Sequence, residues 1–414
     1  MMIPPGKGTY LLCMRLLGPS ATLPWLLLVL GQVAGRVWAM PVPATRTVLP
    51  ADRVLKLAPL LTTAELVLLE SDERRALRQL TTLSWVAAPP ALVREVVARP
   101  DRYPEFVRNM TISEVKRLPD GSLDHRYELG YSIATIGGMS RFVFDAGASG
   151  SWLPGIDMYD PEPGGARWHR WDFLPAGGGT IIVLSGYPDV HHSGELIDRL
   201  LNAVPTLEHG LALMGQMTLL LAMKHRAEQL AAERKLDVQP PQGPATGYEF
   251  LLAHGVLSLL RGKQGRLSEM TLIVHLPAAP AAVMEVLGRP QLWSSFIPSI
   301  TRSVDLGERG GAPAVELEQA VPLLSFRTVY ALHRTPSAVD MLGLSGDLRG
   351  ARLRWDVRPI GGGGTRLVLR TRQEFDRASV ILRQLYKLEP LFEYGVNMGL
   401  GLVLLWGIAA RVAP

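Results

Sequence analysis

The residues best suited to chemistry by type and spacing lie at 189–195, where Asp189, His191, His192 and Glu195 fall close together. Imidazole and carboxylate groups this near one another can hold zinc, but the spacing matches no ligand pattern on a helix. The corresponding stretch further along reads Glu374-Phe-Asp376-Arg377 and has no histidine. Helix capping and surface exposure explain the cluster more simply, so no metal is assigned. His169 and His209 are single histidines in apolar or aromatic context, the setting of packed rings rather than catalytic ones. There is no G-x-S-x-G elbow, no H-E-x-x-H pair and no G-x-x-x-x-G-K-[ST] loop. The glycine runs at 177–179 and 361–364 join strands, whereas phosphate-cradling loops open a helix. No acid–base pair stands out, so no catalytic residue and no cofactor is assigned.

The start of the chain adds exclusions. Lys7 and Arg15 form a basic region, 23–33 an apolar one, and Val37-Trp38-Ala39 a small-x-small cleavage signal. The apolar run falls short of the roughly 20 residues a spanning helix needs. A signal peptide over 1–39 is expected, hence export to a periplasm or secretion; an uncleaved anchor is the other reading. Cys13, the only cysteine, lies in this leader, so the mature chain would have no disulfide and no thiol nucleophile. The formal charge of +5 falls with Lys7, Arg15 and Arg36 removed to +2, from 40 basic and 38 acidic residues. Bulk charge then gives no support to nucleic acid binding.

The chain repeats itself. Ala88-Ala-Pro90-Ala-Leu-Val93-Arg-Glu95-Val96 returns as Ala278-Ala-Pro280-Ala-Ala-Val283-Met-Glu285-Val286, and Tyr103 and Phe106 as Trp293 and Phe296. Arg170-Trp171-Asp172 matches Arg354-Trp355-Asp356, and Glu208-His-Gly210 matches Glu393-Tyr-Gly395. Three ordered blocks at offsets of 190, 184 and 185 imply two homologous domains, 78–233 and 266–411. A helical arm over 40–77 precedes them, its helix opened by the capping-box spacing Thr62-x-x-Glu65 and ending near Leu80. Residues 234–265 form a linker with Pro240, Pro241, Gly243 and Pro244, then a short apolar helix over 249–260.

Within each unit a strand (80–87, 269–276) leads to a short helix with proline in its first turn. A second turn carries Tyr103-Pro-Glu-Phe106. Strand-like runs follow, joined by turns such as Asp120-Gly121. A long helix closes each unit, over 194–233 and 377–410, apolar almost all round in its middle. Each apolar stretch is shorter than a membrane span, so burial against a curved sheet is expected; a peripheral membrane contact of the C-terminus stays open.

This order resembles the helix-grip superfamily of START lipid-transfer domains, polyketide cyclases and coenzyme Q-binding START-type proteins. The resemblance rests on Ala88-Ala-Pro90-x-x-Val93-x-x-Val96, Tyr103-Pro-Glu-Phe106 and Trp171 with Gly179-Thr180. It implies an α+β fold of two helix-grip domains, each a seven-stranded curved antiparallel sheet wrapped around its long C-terminal helix. It also implies an apolar cavity between sheet and helix. Strand alternation nominates Tyr127, Tyr131 and Phe142 as ligand-binding in the first unit, and Phe326 and Tyr330 in the second; the motif aromatics Phe106 and Trp171 and their counterparts Phe296 and Trp355 are nominated with them. Ordinary core packing is the other reading of each. Arg141, Arg170, Arg327 and Arg354 are assigned to the solvated outer face.

Three functions are open on this reading. The first is an exported carrier of a hydrophobic small molecule, a lipid, quinone or polyketide-like compound. The second is an enzyme resembling didomain polyketide aromatase/cyclases, which need positioning more than a catalytic motif. The third is a scaffold in which one or both cavities are filled.

Overall fold

In the computed structural model the described residues are 46–130, 135–145, 154–161, 166–190, 201, 207–244, 247–263, 266–321, 324–372, 380, 383–384, 387 and 391–413. The leader expected over 1–39, Cys13 and the cluster from His191 to Glu195 lie outside them.

Two short helices, α1 (Ala51–Leu55) and α2 (Ala58–Leu61), precede strands β1 (Glu65–Ser71) and β2 (Leu77–Val86). Helix α3 (Pro90–Val97) and a 3-10 turn (Pro100–Glu105) follow. Then come β3 (Met110–Arg117), β4 (Leu123–Gly130), β5 (Thr135–Phe144), β6 (Ile156–Tyr159), β7 (Trp168–Ala176) and β8 (Gly179–Tyr187). Helix α4 (Leu207–Glu233) ends the first traverse. After a 3-10 turn (Tyr248–Ala253) the same order recurs, with β9 (Val256–Lys263), β10 (Arg266–Leu276), α5 (Pro280–Leu287) and a 3-10 turn (Pro290–Ser295). The remaining strands are β11 (Ile300–Arg309), β12 (Ala312–Val321), β13 (Leu324–Thr335), β14 (Ala338–Gly346), β15 (Arg352–Pro359) and β16 (Thr365–Arg372), closed by α6 (Phe392–Val412).

The shared motifs are fastened in the same way in both repeats. The Thr180 hydroxyl donates to the Ala88 carbonyl at 2.6 Å, and Thr365 does the same to Ala278 at 2.6 Å, pinning the last strand to the entry of the short helix. Tyr103 donates its hydroxyl to Val97 O at 2.6 Å, and Trp293 donates Nε1–H to Val286 O at 3.1 Å. A different aromatic thus ties the 3-10 turn to the helix before it. Glu208 accepts the amide of Leu77, and Glu393 that of Leu267 at 3.0 Å, so each long helix is tied to the second strand of its repeat. Burial raises the Glu393 carboxyl pKa, opposed by the Arg266 guanidinium beside it.

Two expectations fail in an instructive way. The capping-box helix over Thr62–Glu65 is strand β1, and most of the helix expected over 249–260 is strand β9. Among the described residues each repeat therefore has eight strands rather than seven. The sixteen form a single antiparallel sheet in which β1 pairs with β9. Leu66 pairs with Leu83, and Leu257 with Ile273, so Val67 and Ser258 hold the same place in the two repeats. Val67 lies directly opposite Ser258, which puts a pseudo-twofold axis between them.

Strand β1 is buried on both sides. Val67 and Leu69 join the main core between the sheet and the long helices. Leu66 and Leu68 join a second core on the sheet's outer side, beneath α1, α2 and the Tyr248–Ala253 turn. Where both faces are covered, apolar residues run on without alternation, and the period-two signal of a strand disappears.

Helices α4 and α6 pack together where Gly210 meets Gly395. A β-carbon on Gly210 would overlap the Gly395 carbonyl oxygen, and one on Gly395 would sit 2.8 Å from that of Gly210. Glycine at both positions is what lets the backbones touch. The segment Glu393–Val412 is long and apolar enough to cross a membrane by length and composition, and 67% of its most apolar window is buried inside the fold. Its all-round apolar character is accounted for by the sheet on one side and α4 on the other.

Candidate functional site

Among the described residues, each repeat holds a cavity between sheet and long helix. That of the first repeat has a volume of about 80 Å³, that of the second about 50 Å³. The registers allow the two walls to be compared position by position. Met110 pairs with Leu129 as Ile300 does with Gln319, and His125 pairs with Ser140 as Val315 does with Tyr330. Met158 pairs with His169 as Met341 does with Leu353. On the helix side, Ala212, Gly215, Gln216 and Leu219 correspond to Asn397, Leu400, Gly401 and Leu404 at the offset of 185.

The first cavity gathers polar groups that the second lacks. His125, Tyr127, Arg167, His169 and Gln216 line it, where the second repeat has Val315, Leu317, Ala351, Leu353 and Gly401. Ser113 donates its one hydroxyl hydrogen to Pro100 O at 2.6 Å, so at 2.8 Å from His125 Nε2 it accepts. His125 therefore carries its proton on Nε2, and Nδ1 presents a bare lone pair. That Nδ1 is buried with no partner among the described protein groups. Burial pushes the His125 pKa down to about 4, and burial with the nearby Arg167 charge does the same to His169. Both rings are neutral at pH 7.

Gln216 shows the same one-sidedness. Its amide nitrogen lies 2.7 Å from Leu184 O and 3.2 Å from Thr82 Oγ1. Its Oε1 is buried and has no partner among the described groups. His125 is 2% exposed and Gln216 1%, so neither acceptor reaches bulk solvent. Burial raises the Tyr127 pKa, and Arg167 Nη1 donates to its phenol oxygen at 2.9 Å while Nη2 donates to Asp160 at 3.0 Å. Gly138 makes room for that guanidinium: a β-carbon there would lie 2.5 Å from Arg167 Nη2. In the second repeat Thr328 stands at the position of Gly138 and Ala351 at that of Arg167. A small and a large residue have changed places.

Three polar side chains of the second cavity bond to neighbouring protein groups. Thr328 Oγ1 accepts the Leu348 amide at 3.1 Å, Asn397 donates to Glu393 O at 2.8 Å, and Gln319 donates to Ser299 at 3.4 Å. Among the described residues, every buried side-chain atom that lines a cavity and lacks a partner belongs to the first repeat.

Of the nominated residues, Tyr127, Phe326 and Tyr330 line cavities, and Tyr131 lies outside the described residues. Phe142, Trp171 and Trp355 are completely or almost completely buried in the main core and form no part of either described wall. Trp171 donates to Met158 Sδ at 3.0 Å, and Trp355 packs edge-on against Trp293. Phe106 and Phe296 also fall outside the walls, each with an arginine of its own long helix over the ring at 5.9 Å, Arg226 and Arg411. Alternation identified the inward face of each strand but not the depth at which the helices close over it. His125, Arg167 and Gln216 were missed. The signal that finds them is difference between repeats, a polar residue where the other copy is apolar or glycine.

The four arginines placed on the outer face are ion-paired on the sheet: Arg141 with Asp124, Arg170 with Asp145, Asp157 and Asp172, Arg327 with Glu316, and Arg354 with Asp340 and Asp356. Among the described residues no group of three or more metal-ligating side chains comes together.

The order strand, short helix, 3-10 turn, six antiparallel strands and long helix is the helix-grip fold, present here as two copies in an α+β chain. No family profile and no curated protein matches the sequence. Solved structures similar to it include the di-domain ARO/CYC StfQ from the steffimycin biosynthetic pathway, at 16% identity over 80% of this chain and 97% of that one, with a TM-score of 0.28. The di-domain ARO/CYC BexL from the BE-7585A biosynthetic pathway matches at 14% identity over 81% of this chain and 99% of that one, TM-score 0.28. A START superfamily protein from Mycobacterium smegmatis matches at 16% identity over 35% of this chain and 97% of that one, TM-score 0.29.

Proposed function

We propose that this protein is an exported binding protein for a hydrophobic small molecule that carries a hydroxyl or other hydrogen-bond donor, held in the cavity of the first repeat. The observation that supports it is the pair of buried, unpartnered acceptors, His125 Nδ1 and Gln216 Oε1, on an otherwise mostly apolar wall. Leaving such groups unpaired costs about 1–3 kcal/mol each, and a ligand donor recovers that cost. Lipids with a free hydroxyl, quinols and phenolic polyketide-like compounds share this chemistry. Export follows from the leader expected over 1–39.

At about 80 Å³ the cavity is far smaller than the roughly 300 Å³ or more of pockets that enclose drug-sized ligands. Binding therefore requires the wall to give way. Met110, Met158 and Leu219 line it, and unbranched methionines repack at low cost. Native mass spectrometry with lipid extraction, on protein purified from its own host, tests the proposal. A stoichiometric apolar ligand that is lost in His125→Val with Gln216→Gly supports it. Protein that is empty from its own host and takes up no hydroxylated lipid, quinol or phenol overturns it.

A further inference from the structure

We propose that the outer face of β15 and β16 docks the protein on an anionic lipid surface. Alternation along these strands turns Arg352, Arg354 and Arg358 of β15, and Arg366, Arg370 and Arg372 of β16, to the side away from the main core. The register sets Arg352 directly opposite Arg372, Arg354 opposite Arg370, and Arg358 opposite Arg366. Like charges directly opposed across a sheet destabilise it. Three such pairs share this face, with the Asp356–Val368 pair between the second and third, and a surface of negative charge relieves the repulsion that remains.

The scaffold itself does not require this. At the same six positions the first repeat has Trp168, Arg170, Leu174, Ile181, Ser185 and Tyr187, with one arginine held by three aspartates. In the second repeat, Asp340 and Asp356 serve Arg354, Asp356 lies 3.8 Å from Arg370, and Glu249 lies 3.8 Å from Arg366. Arg352, Arg358 and Arg372 are exposed and make no ion pair among the described residues. Six arginines against Asp340, Asp356 and Glu249 leave this face at +3.

Two features favour a bilayer over other polyanions. Leu342, opposite Arg352, and Leu344 are 40% and 38% exposed on the neighbouring strand, apolar side chains set beside the guanidinium groups. Such a mixture suits the boundary between headgroups and acyl chains. The outward positions of β15 and β16 hold no aromatic side chain on which a base could stack.

The test is cosedimentation of the full chain with phosphatidylcholine vesicles, with and without about a third phosphatidylglycerol. Binding is expected only to the anionic vesicles, falling as salt is raised. An arginine near such a surface contributes about a fivefold factor, so Arg352→Gln, Arg358→Gln and Arg372→Gln together should cut partitioning roughly 100-fold. The melting temperature should hold or rise as repulsion is relieved. Leu342→Ser with Leu344→Ser should weaken binding several-fold without altering the salt slope. Equal binding to neutral vesicles, unchanged partitioning in the arginine variant, or tighter binding to a duplex oligonucleotide or polyglutamate at the same salt would overturn the proposal.

Discussion

The two cavities share a backbone and differ in what their walls ask for. In the second, Thr328, Asn397 and Gln319 bond to neighbouring protein groups. The first keeps two acceptors without partners among the described residues and two neutral histidines, at positions where the second has Val315, Leu353 and Gly401. Because both copies close the same sheet over the same kind of helix, the fold does not need the polar groups. They persist in the first copy at a cost in stability, the pattern expected where a ligand is received.

The largest expected difference between the copies is in acid. The His125 and His169 pKa values are pushed down to about 4, below the ordinary 6.5, so the unfolded chain takes up protons first as pH falls. Stability is complete above about pH 6.5 and is lost between there and pH 4, by about 3 kcal/mol for each ring. Urea titrations across this range should show the loss in the native chain. His125→Val with His169→Leu, which writes in the second repeat's residues, should flatten it; an unchanged pH dependence would show that these rings do not distinguish the copies.

What the copies share can be broken next. Gly210→Ala forces a β-carbon into the Gly395 carbonyl and should cost about 1–3 kcal/mol, beyond the gain in helix propensity. Gly215→Ala, on the same helix with nothing within 4 Å of the new β-carbon, should instead hold or gain up to about 1 kcal/mol. Thermal melts of the pair separate the crossing from the helix.

The exchange of Gly138 and Arg167 for Thr328 and Ala351 makes a sharper test. Gly138→Thr alone should destabilise, because Arg167 must leave Tyr127 and Asp160; Arg167→Ala added to it should recover about 1 kcal/mol or more. Strict additivity in the double-mutant cycle would break the proposed correspondence. The smallest effects belong to single wall residues. Tyr127→Leu should weaken ligand retention about tenfold by native mass spectrometry, while Phe326→Ala in the second cavity should lower the melting temperature and leave retention unchanged.

Much of the fold was legible because it is written twice. Thr180 and Thr365, Glu208 and Glu393, and Gly210 and Gly395 recur in register because each makes the same bond or contact in both copies. The strands that join the copies were not legible. Glu65–Ser71 is apolar on both faces, and the capping signal at Thr62 favoured the wrong period. The nominated aromatics show the same limit, since Trp171 and Trp355 face inward as alternation requires but lie where core packing leaves no cavity.

By itself the sequence determined the duplication, the breakers between strands and the two apolar helices, because these depend on local residue types and on their recurrence. Tertiary structure decided that the copies share one sheet through β1 and β9, that Gly210 and Gly395 touch, and which polar side chains remain unpaired beside a cavity. A hydrogen bond left unmade depends on every group within reach, and those groups come from strands and helices far apart in the chain.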